Sequence, residues 1–268
     1  MTKKNLIVGQ SGGPTAVINS SLYGVVSEGL KHPDTIEHVY GMVNGIEGFL
    51  NGRILDFQEA LPGETLSCLT HTPGAYLGSC RYKLPESLED PVYPALFARF
   101  EELNIGWFFY IGGNDSMDTV SKLSRYAASV GSDIRIIGEP KTIDNDLVCT
   151  DHTPGFGSAA RYVASTVREI ILDANVYEKN SVTIVEIMGR HAGWLTGASA
   201  LARRYDGDNP LLIYLPETDF EQEAFLTKVR DCLKKNCNVV VCVSEGIHDA
   251  EGTFICEYDS SVGTDTFG

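Results

Sequence analysis

Long apolar runs are missing from this 268-residue chain. No stretch approaches the ~20 residues that a membrane-spanning helix requires. The opening MTKKNLIVGQSGG offers only Leu6-Ile7-Val8 before glycine, too little for the apolar core of a secretory leader, so it reads as a first buried strand. Cys-x-x-Cys pairs are also missing: seven cysteines are scattered singly. Cys232, Cys237 and Cys242 are evenly spaced, but Cys242 falls in an expected core strand, so buried thiols in a reducing cytoplasm are expected rather than a zinc site. No Gly-x-x-x-x-Gly-Lys-Ser/Thr occurs, which argues against a P-loop nucleotide fold.

Basic residues are scarce, 21 against 36 acidic ones, for a net charge of −15. That balance repels nucleic acid and anionic membranes at long range, so neither is an expected partner. It repels phosphorylated metabolites as well. A phosphate site in such a chain must rely on local cations, backbone N–H groups and metal ions, which makes each lysine or arginine in a glycine-rich loop informative.

What is present is a repeated unit: a short apolar run, a glycine-rich loop, then a helix-compatible segment. Asn5–Gly9 leads into SGGP and a helix over about 15–31; Trp107–Ile111 leads into GGND and a helix over about 116–129. Ile134–Gly138 precedes EPKTIDND, and Val182–Met188 precedes GRHAG with a helix from about Trp194. Leu211–Leu215 and Val239–Ser244 are further apolar runs, the second ending at EGI. Runs without alternation, separated by helices, predict an α/β fold of parallel strands covered on both faces. Ligands in such sheets bind beyond the carboxyl ends of the strands, where these loops collect.

Each loop admits a plain reading and a chemical one. SGGP and IGGND are either simple strand-to-helix turns or places where glycine lets an anion approach free N–H groups. GFGSAA, residues 155–160, resembles a dinucleotide fingerprint but follows no strand; it reads as a helix start near Ser158. PKTIDND is more specific. If extended, it turns Thr142, Asp144 and Asp146 the same way, so that one carboxylate can take a hydroxyl proton while the other holds that base or a metal; the plain alternative is an Asx-rich turn. In EIMGRHAGW, Arg190 suits a bidentate phosphate contact, while His191 is as readily structural as catalytic. Arg81 and Lys83 in LGSCRYK suggest an anion, and Glu245 in VSEGI can accept hydrogen bonds from sugar hydroxyls.

Taken together, the order SGGP, GSCR, GGND, PKTIDND, MGRHAG, SEGI resembles the phosphofructokinase family along almost the whole chain. The resemblance implies two similar Rossmann-like domains with mainly parallel sheets and the active site in the cleft between them. Residues 1–155 would bind the phosphoryl donor and residues 156–268 the sugar phosphate. It implies phosphoryl transfer to the 1-hydroxyl of fructose 6-phosphate, giving fructose 1,6-bisphosphate, with Mg²⁺ as cofactor, in a cytoplasmic homo-oligomer (dimer or tetramer). Carried over by position, Asp144 is the general base, supported by Thr142 and Asp146. Lys141 and Arg190 stabilise the transferred group. Thr142, Asp144, Met188, Gly189, Arg190 and Glu245 line the sugar phosphate; Gly12, Gly13, Arg81, Gly113, Asn114 and Asp115 face the donor, and Asp115 with Asn114 is the candidate metal position.

Two departures point to one branch. ATP-using members resemble GGDG and PGTIDND, whereas this chain has Asp115 and Lys141 in place of the two glycines. A carboxylate about 4 Å from a nucleotide α-phosphate opposes it by roughly 4 kcal/mol at an effective dielectric near 20, about a thousandfold in affinity. Lys141 supplies an ammonium for a compact, highly charged donor. The pair resembles the pyrophosphate-dependent branch, whose reaction runs readily both ways. The rival readings are an ATP-dependent phosphofructokinase, a lipid or NAD kinase sharing the GGD-type loop, and a non-catalytic phosphometabolite-binding subunit or fragment. Asn114 stands where ATP-using relatives have a metal-associated Asp, and Ser181 where short bacterial relatives have an arginine that reaches a neighbouring subunit. Glu217 in LPET stands where regulated relatives hold an effector's metal, and no effector role is assigned to it. The closing SSVGTDTFG has no cap or charged tail while family members run on, so the expectation is a chain lacking the C-terminal part and binding sugar phosphate poorly.

Overall fold

The computed structural model describes residues 2–61, 63–205, 208 and 211–259, so the closing SSVGTDTFG lies outside the described residues. The chain divides into two compact units, Met1–Thr142 and Ile143–Gly268. The division falls inside PKTIDND, ahead of the boundary expected at 155/156. No helix among the described residues is long and apolar enough to cross a membrane.

The first unit is built on five strands: β1 Lys4–Gln10, β2 Ile36–Met42, β3 Ile54–Asp56, β4 Ile105–Gly112 and β5 Arg135–Pro140. Their order is β3-β2-β1-β4-β5, and every pair is parallel except β2 with β3. Strand alternation sends Ile7, Phe108 and Tyr110 to one face, where they meet Tyr93, Leu96 and Leu123 from the helices Val92–Glu102 and Asn114–Val130. Leu6, Val8 and Val39 point the other way, onto Ile18, Leu22 and Val26 of the helix Ile18–Gly29. Each fully buried side chain of this size contributes about 1.5–3 kcal/mol, which is why two-faced burial selects unalternating apolar strands.

The second unit carries β6 Ser181–Ile187, β7 Leu211–Tyr214 and β8 Asn238–Ser244 in a three-stranded parallel sheet of order β6-β8-β7. Here β8 is the spine. Val240 and Cys242 pack on Val167 and Ile171 of the helix Phe156–Ala174, while Val239 and Val241 pack on Val229 of the helix Gln222–Leu233. The two sheets share the parallel design but not the size.

Two local expectations change. Thr142, Asp144 and Asp146 do not lie on an extended segment: the backbone bends at Ile143-Asp144 and turns left-handed at Asn145, with φ 63°. The cause is a buried side chain, since Asn145 accepts a hydrogen bond from Thr153 N at 2.8 Å and donates to Asp151 O at 3.1 Å. Nor are the three evenly spaced cysteines all buried. Cys242 is buried, but Cys232 is only half-buried and Cys237, in the turn before β8, is exposed.

Candidate functional site

In the first unit, three expected loops meet because three neighbouring strands end together. Gly9 and Gln10 pair with Tyr110 and Ile111, and Gly112 pairs with Pro140, so SGGP, GGND and PKT leave adjacent carboxyl ends. The sheet switches direction there: β1 has β2 on one side and β4 on the other, the position where open α/β sheets bind ligands. Lys141 N donates to Gly112 O at 2.9 Å, and the Lys141 ammonium donates to the carbonyl of Gly13. Lys141 is 7% exposed, so its charge is held in the wall of the site.

Gly12 has φ +76°, a left-handed conformation that favours glycine. A Cβ there would lie 3.6 Å from Gly113 N and 3.8 Å from Lys141 Nζ. Those contacts place the SGGP turn against the N-terminus of the helix Asn114–Val130, whose free N–H groups favour anions. Gly113 is the extended residue before that helix, and Gly13 faces open space. Asn114 and Asp115 occupy the first turn, both exposed. Asp115 Oδ1 lies 3.6 Å from Lys83 Nζ, and both side chains are more than three-quarters exposed.

Arg81 is exposed on a loop tied back to the same turn. Ser79 Oγ donates to Gly12 O at 2.5 Å, Ser11 Oγ donates to Cys80 O at 3.2 Å, and Gly12 N donates to Cys80 O at 3.4 Å. Two buried amides that sequence reading missed hold the loop further up. Gln10 donates to Ile18 O and Asn19 Oδ1 and accepts from Leu77 N, while Asn19 donates to Thr72 O and accepts from Tyr76 N. A polar amide ending an apolar strand was the available signal. Tyr110, beneath the loop beside Cys80, has its phenol pushed well above the ordinary value by burial.

The second unit gathers MGRHAG and SEGI. Ile187 pairs with Ser244, so the loops after β6 and β8 lie side by side. Glu245 N donates to Ile187 O, and Glu245 Oε1 accepts from Gly189 N at 3.1 Å. Ser244 Oγ donates to Gly189 O at 2.6 Å and accepts from Gly246 N at 3.1 Å. Gly189 has φ +120°, and a Cβ there would sit 2.3 Å from Ala192 O, so no other residue fits without rearrangement. This brace leaves Met188 and Arg190 exposed on either side.

Other sequence candidates fall as follows. Asp144 is half-buried and Asp146 exposed within the bent segment of the second unit, while half-buried Thr142 ends the first. His191 packs its ring 6.1 Å from that of Phe254. Glu217 Oε1 accepts from Gly193 N at 2.6 Å, a brace for the turn after GRHA. Ser181 bonds Asn238 at 2.8 Å. Gly157 and Ser158 lie inside the helix Phe156–Ala174, which starts two residues earlier than expected. Among the described residues no group of three or more His, Cys, Asp or Glu side chains is placed to hold a metal.

Glycine turns, a helix N-terminus and a walled-in lysine together give this α/β protein an anion-favouring edge where its strands end. Residues 5–266 match the family model for phosphofructokinase, and the chain belongs to that family. It is 45% identical over its full length to a pyrophosphate--fructose 6-phosphate 1-phosphotransferase of Xanthomonas campestris, covering 63% of that relative. A crystal structure of a pyrophosphate-dependent phosphofructokinase from Nitrosospira multiformis superposes with TM-score 0.81 at 39% identity, over 94% of this chain and 63% of that one. An ATP-dependent 6-phosphofructokinase of Teredinibacter turnerae is more distant, at 30% identity, covering 92% of this chain and 70% of that one. The chain spans 60–64% of the length of the first curated relatives it matches.

Proposed function

We propose that the protein transfers a phosphoryl group from pyrophosphate to the 1-hydroxyl of fructose 6-phosphate, reversibly, giving fructose 1,6-bisphosphate and inorganic phosphate. The observation that carries the reading is Lys141: its ammonium is walled into the SGGP turn, beside the N-terminus of the helix that begins with Asn114 and Asp115. A fixed cation plus free N–H groups suits a small donor of high charge density.

In the proposed reaction Asp144 takes the proton from the sugar's 1-hydroxyl as that oxygen attacks one phosphorus of pyrophosphate in line. The new O–P bond forms while the bridging P–O bond breaks, and the departing phosphate keeps that electron pair. Lys141 and Arg190 offset charge on the moving group, Gly12, Gly13, Gly113 and Arg81 hold the donor, and Glu245 with Met188 and Gly189 lines the sugar phosphate. Asp146 and Thr142 support the base.

The donor side presents the exposed carboxylate of Asp115 in the first turn of the helix, with Asn114 beside it. That set fits Mg²⁺, which keeps several waters and takes its remaining ligands from one or two carboxylates and substrate phosphates. When bound it would neutralise and orient the donor.

The selective role of Asp115 needs revision in magnitude. With its side chain 77% exposed and Lys83 nearby, its repulsion of a nucleotide α-phosphate at 4 Å is about 1 kcal/mol in bulk water. The full thousandfold rejection of ATP requires a donor-bound site from which water is excluded. Cytoplasmic placement and assembly as a dimer or tetramer belong to the same reading. The test is fructose 1,6-bisphosphate formation by the purified protein with pyrophosphate and Mg²⁺: turnover is expected, and its absence, with fructose 6-phosphate bound or unbound, would overturn the proposal.

A further inference from the structure

The loop carrying Arg81 and Lys83 is strung between two anchors in the first unit. At its start, Cys80 O accepts hydrogen bonds from Ser11 Oγ and Gly12 N in the SGGP turn. At its end, Lys122 Nζ donates to Leu84 O at 3.1 Å and to Glu86 Oε1 at 2.6 Å. Lys122 belongs to the helix Asn114–Val130, and Asp118 Oδ2 of the same helix lies 2.6 Å from its Nζ. Asp115, Asp118 and Lys122 stand at i, i+3 and i+7, one face of the helix. Asp115 reaches Lys83 and Lys122 reaches Glu86, so this face buckles the loop at two points.

The Lys122 side chain is only 4% exposed. Burial of an ammonium carries a desolvation cost that a packed methionine of similar length would avoid. What the ammonium adds is direction, a hold on one carbonyl and one carboxylate of a neighbouring loop. Asp118 and Glu86 keep its pKa well above the ordinary lysine value, so it stays charged across the working range.

We propose that Lys122 is a positioning residue for the phosphoryl donor. By fastening the end of the loop to the helix whose N-terminus faces Gly12 and Lys141, it fixes where Arg81 and Lys83 stand relative to the donor's phosphates. This rests on the donor reading given above. Leu84 is buried in the core and Tyr93 Oη donates to Pro85 O at 2.6 Å, two anchors of the loop that do not depend on Lys122.

The test is calorimetric titration of the protein with inorganic pyrophosphate and Mg²⁺, beside KM values for both substrates. Lys122→Met is expected to weaken pyrophosphate binding about tenfold, the equivalent of about 1.4 kcal/mol, while fructose 6-phosphate KM stays within about twofold. Lys122→Arg should recover most of the loss. Glu86→Gln, on an exposed side chain, should weaken pyrophosphate binding in the same direction by about threefold without disturbing the core. Pyrophosphate binding unchanged in both Lys122→Met and Glu86→Gln would overturn the proposal, as would a parallel loss for both substrates. A parent protein that neither binds nor turns over pyrophosphate would instead overturn the functional reading, and this inference with it.

Discussion

Lys141 and Gly13 are joined by a hydrogen bond, the ammonium of one donating to the carbonyl of the other. The bond ties the loop after β5 to the loop after β1 across the intervening β4, so three strand ends form one wall. A cation held this way is pre-organised before any ligand arrives, so in the proposed reaction little reorganisation would remain when charge builds up on the transferred group.

Lys141→Met should therefore damage turnover far more than folding. Loss of a charged hydrogen bond of about 1.5–3 kcal/mol corresponds to about one to two powers of ten. We expect kcat/KM with pyrophosphate to fall by that amount at a temperature where thermal unfolding shows the variant still folded, its transition lowered by the lost bond to Gly13.

Gly189→Ala tests the acceptor loop. The backbone sits at φ +120° and the new methyl would meet Ala192 O at 2.3 Å. Strain of this kind costs roughly 1–3 kcal/mol and shifts the loop that presents Met188 and Arg190. The expected result is a lowered urea midpoint and a raised KM for fructose 6-phosphate, with pyrophosphate binding retained.

Asn19→Leu tests the buried amides behind the donor loop. It removes a partner from Gln10 Nε2, Tyr76 N and Thr72 O together. Each buried group left unsatisfied costs about 1–3 kcal/mol, so denaturant unfolding should show a loss of at least that size.

Acid sensitivity should trace partly to Asp208. Its carboxylate lies 2.6 Å from Arg168 and also accepts from Arg204 N and Tyr205 N, which lowers its pKa from 3.8 to about 2. A pKa depressed on folding gives stability that is present above pH 3.8 and is lost as pH falls toward 2. Asp208→Asn should flatten the loss of stability between pH 4 and pH 2, read from denaturant midpoints across that window.

The strands most legible in the sequence were those buried on both faces. Asn238–Ser244 and Ile105–Gly112 are nearly continuous apolar runs, and their ends place GGND and SEGI without further information. The strand Ile36–Met42 is not legible in the sequence because Glu37, His38 and Tyr40 interrupt its apolar pattern at a half-exposed position of the sheet. The bend in PKTIDND was hidden for a different reason. It depends on Asn145 reaching Thr153, a contact between residues eight apart that no local spacing encodes. Composition marks Lys83 as a cation for an anionic ligand, yet its neighbour in the fold is Asp115, thirty-two positions on, a pairing visible only once the helix and loop are packed. The residues proposed to bear chemistry lie at strand ends and are marked by composition. The residues that hold them, Gln10, Asn19 and Lys122, are ordinary polar side chains whose role arises from burial.

In the proposed reaction Asp115 and Lys141 suit the site to pyrophosphate rather than ATP. The direct measurement is initial rate with each donor, at equal Mg²⁺ and fructose 6-phosphate, for the parent protein and the Asp115→Gly, Lys141→Gly double variant. The parent should turn over with pyrophosphate and not ATP, and the variant should lose pyrophosphate activity while the ATP-to-pyrophosphate ratio of kcat/KM rises by at least about tenfold. ATP turnover in the parent, or an unaltered ratio in the variant, would contradict it.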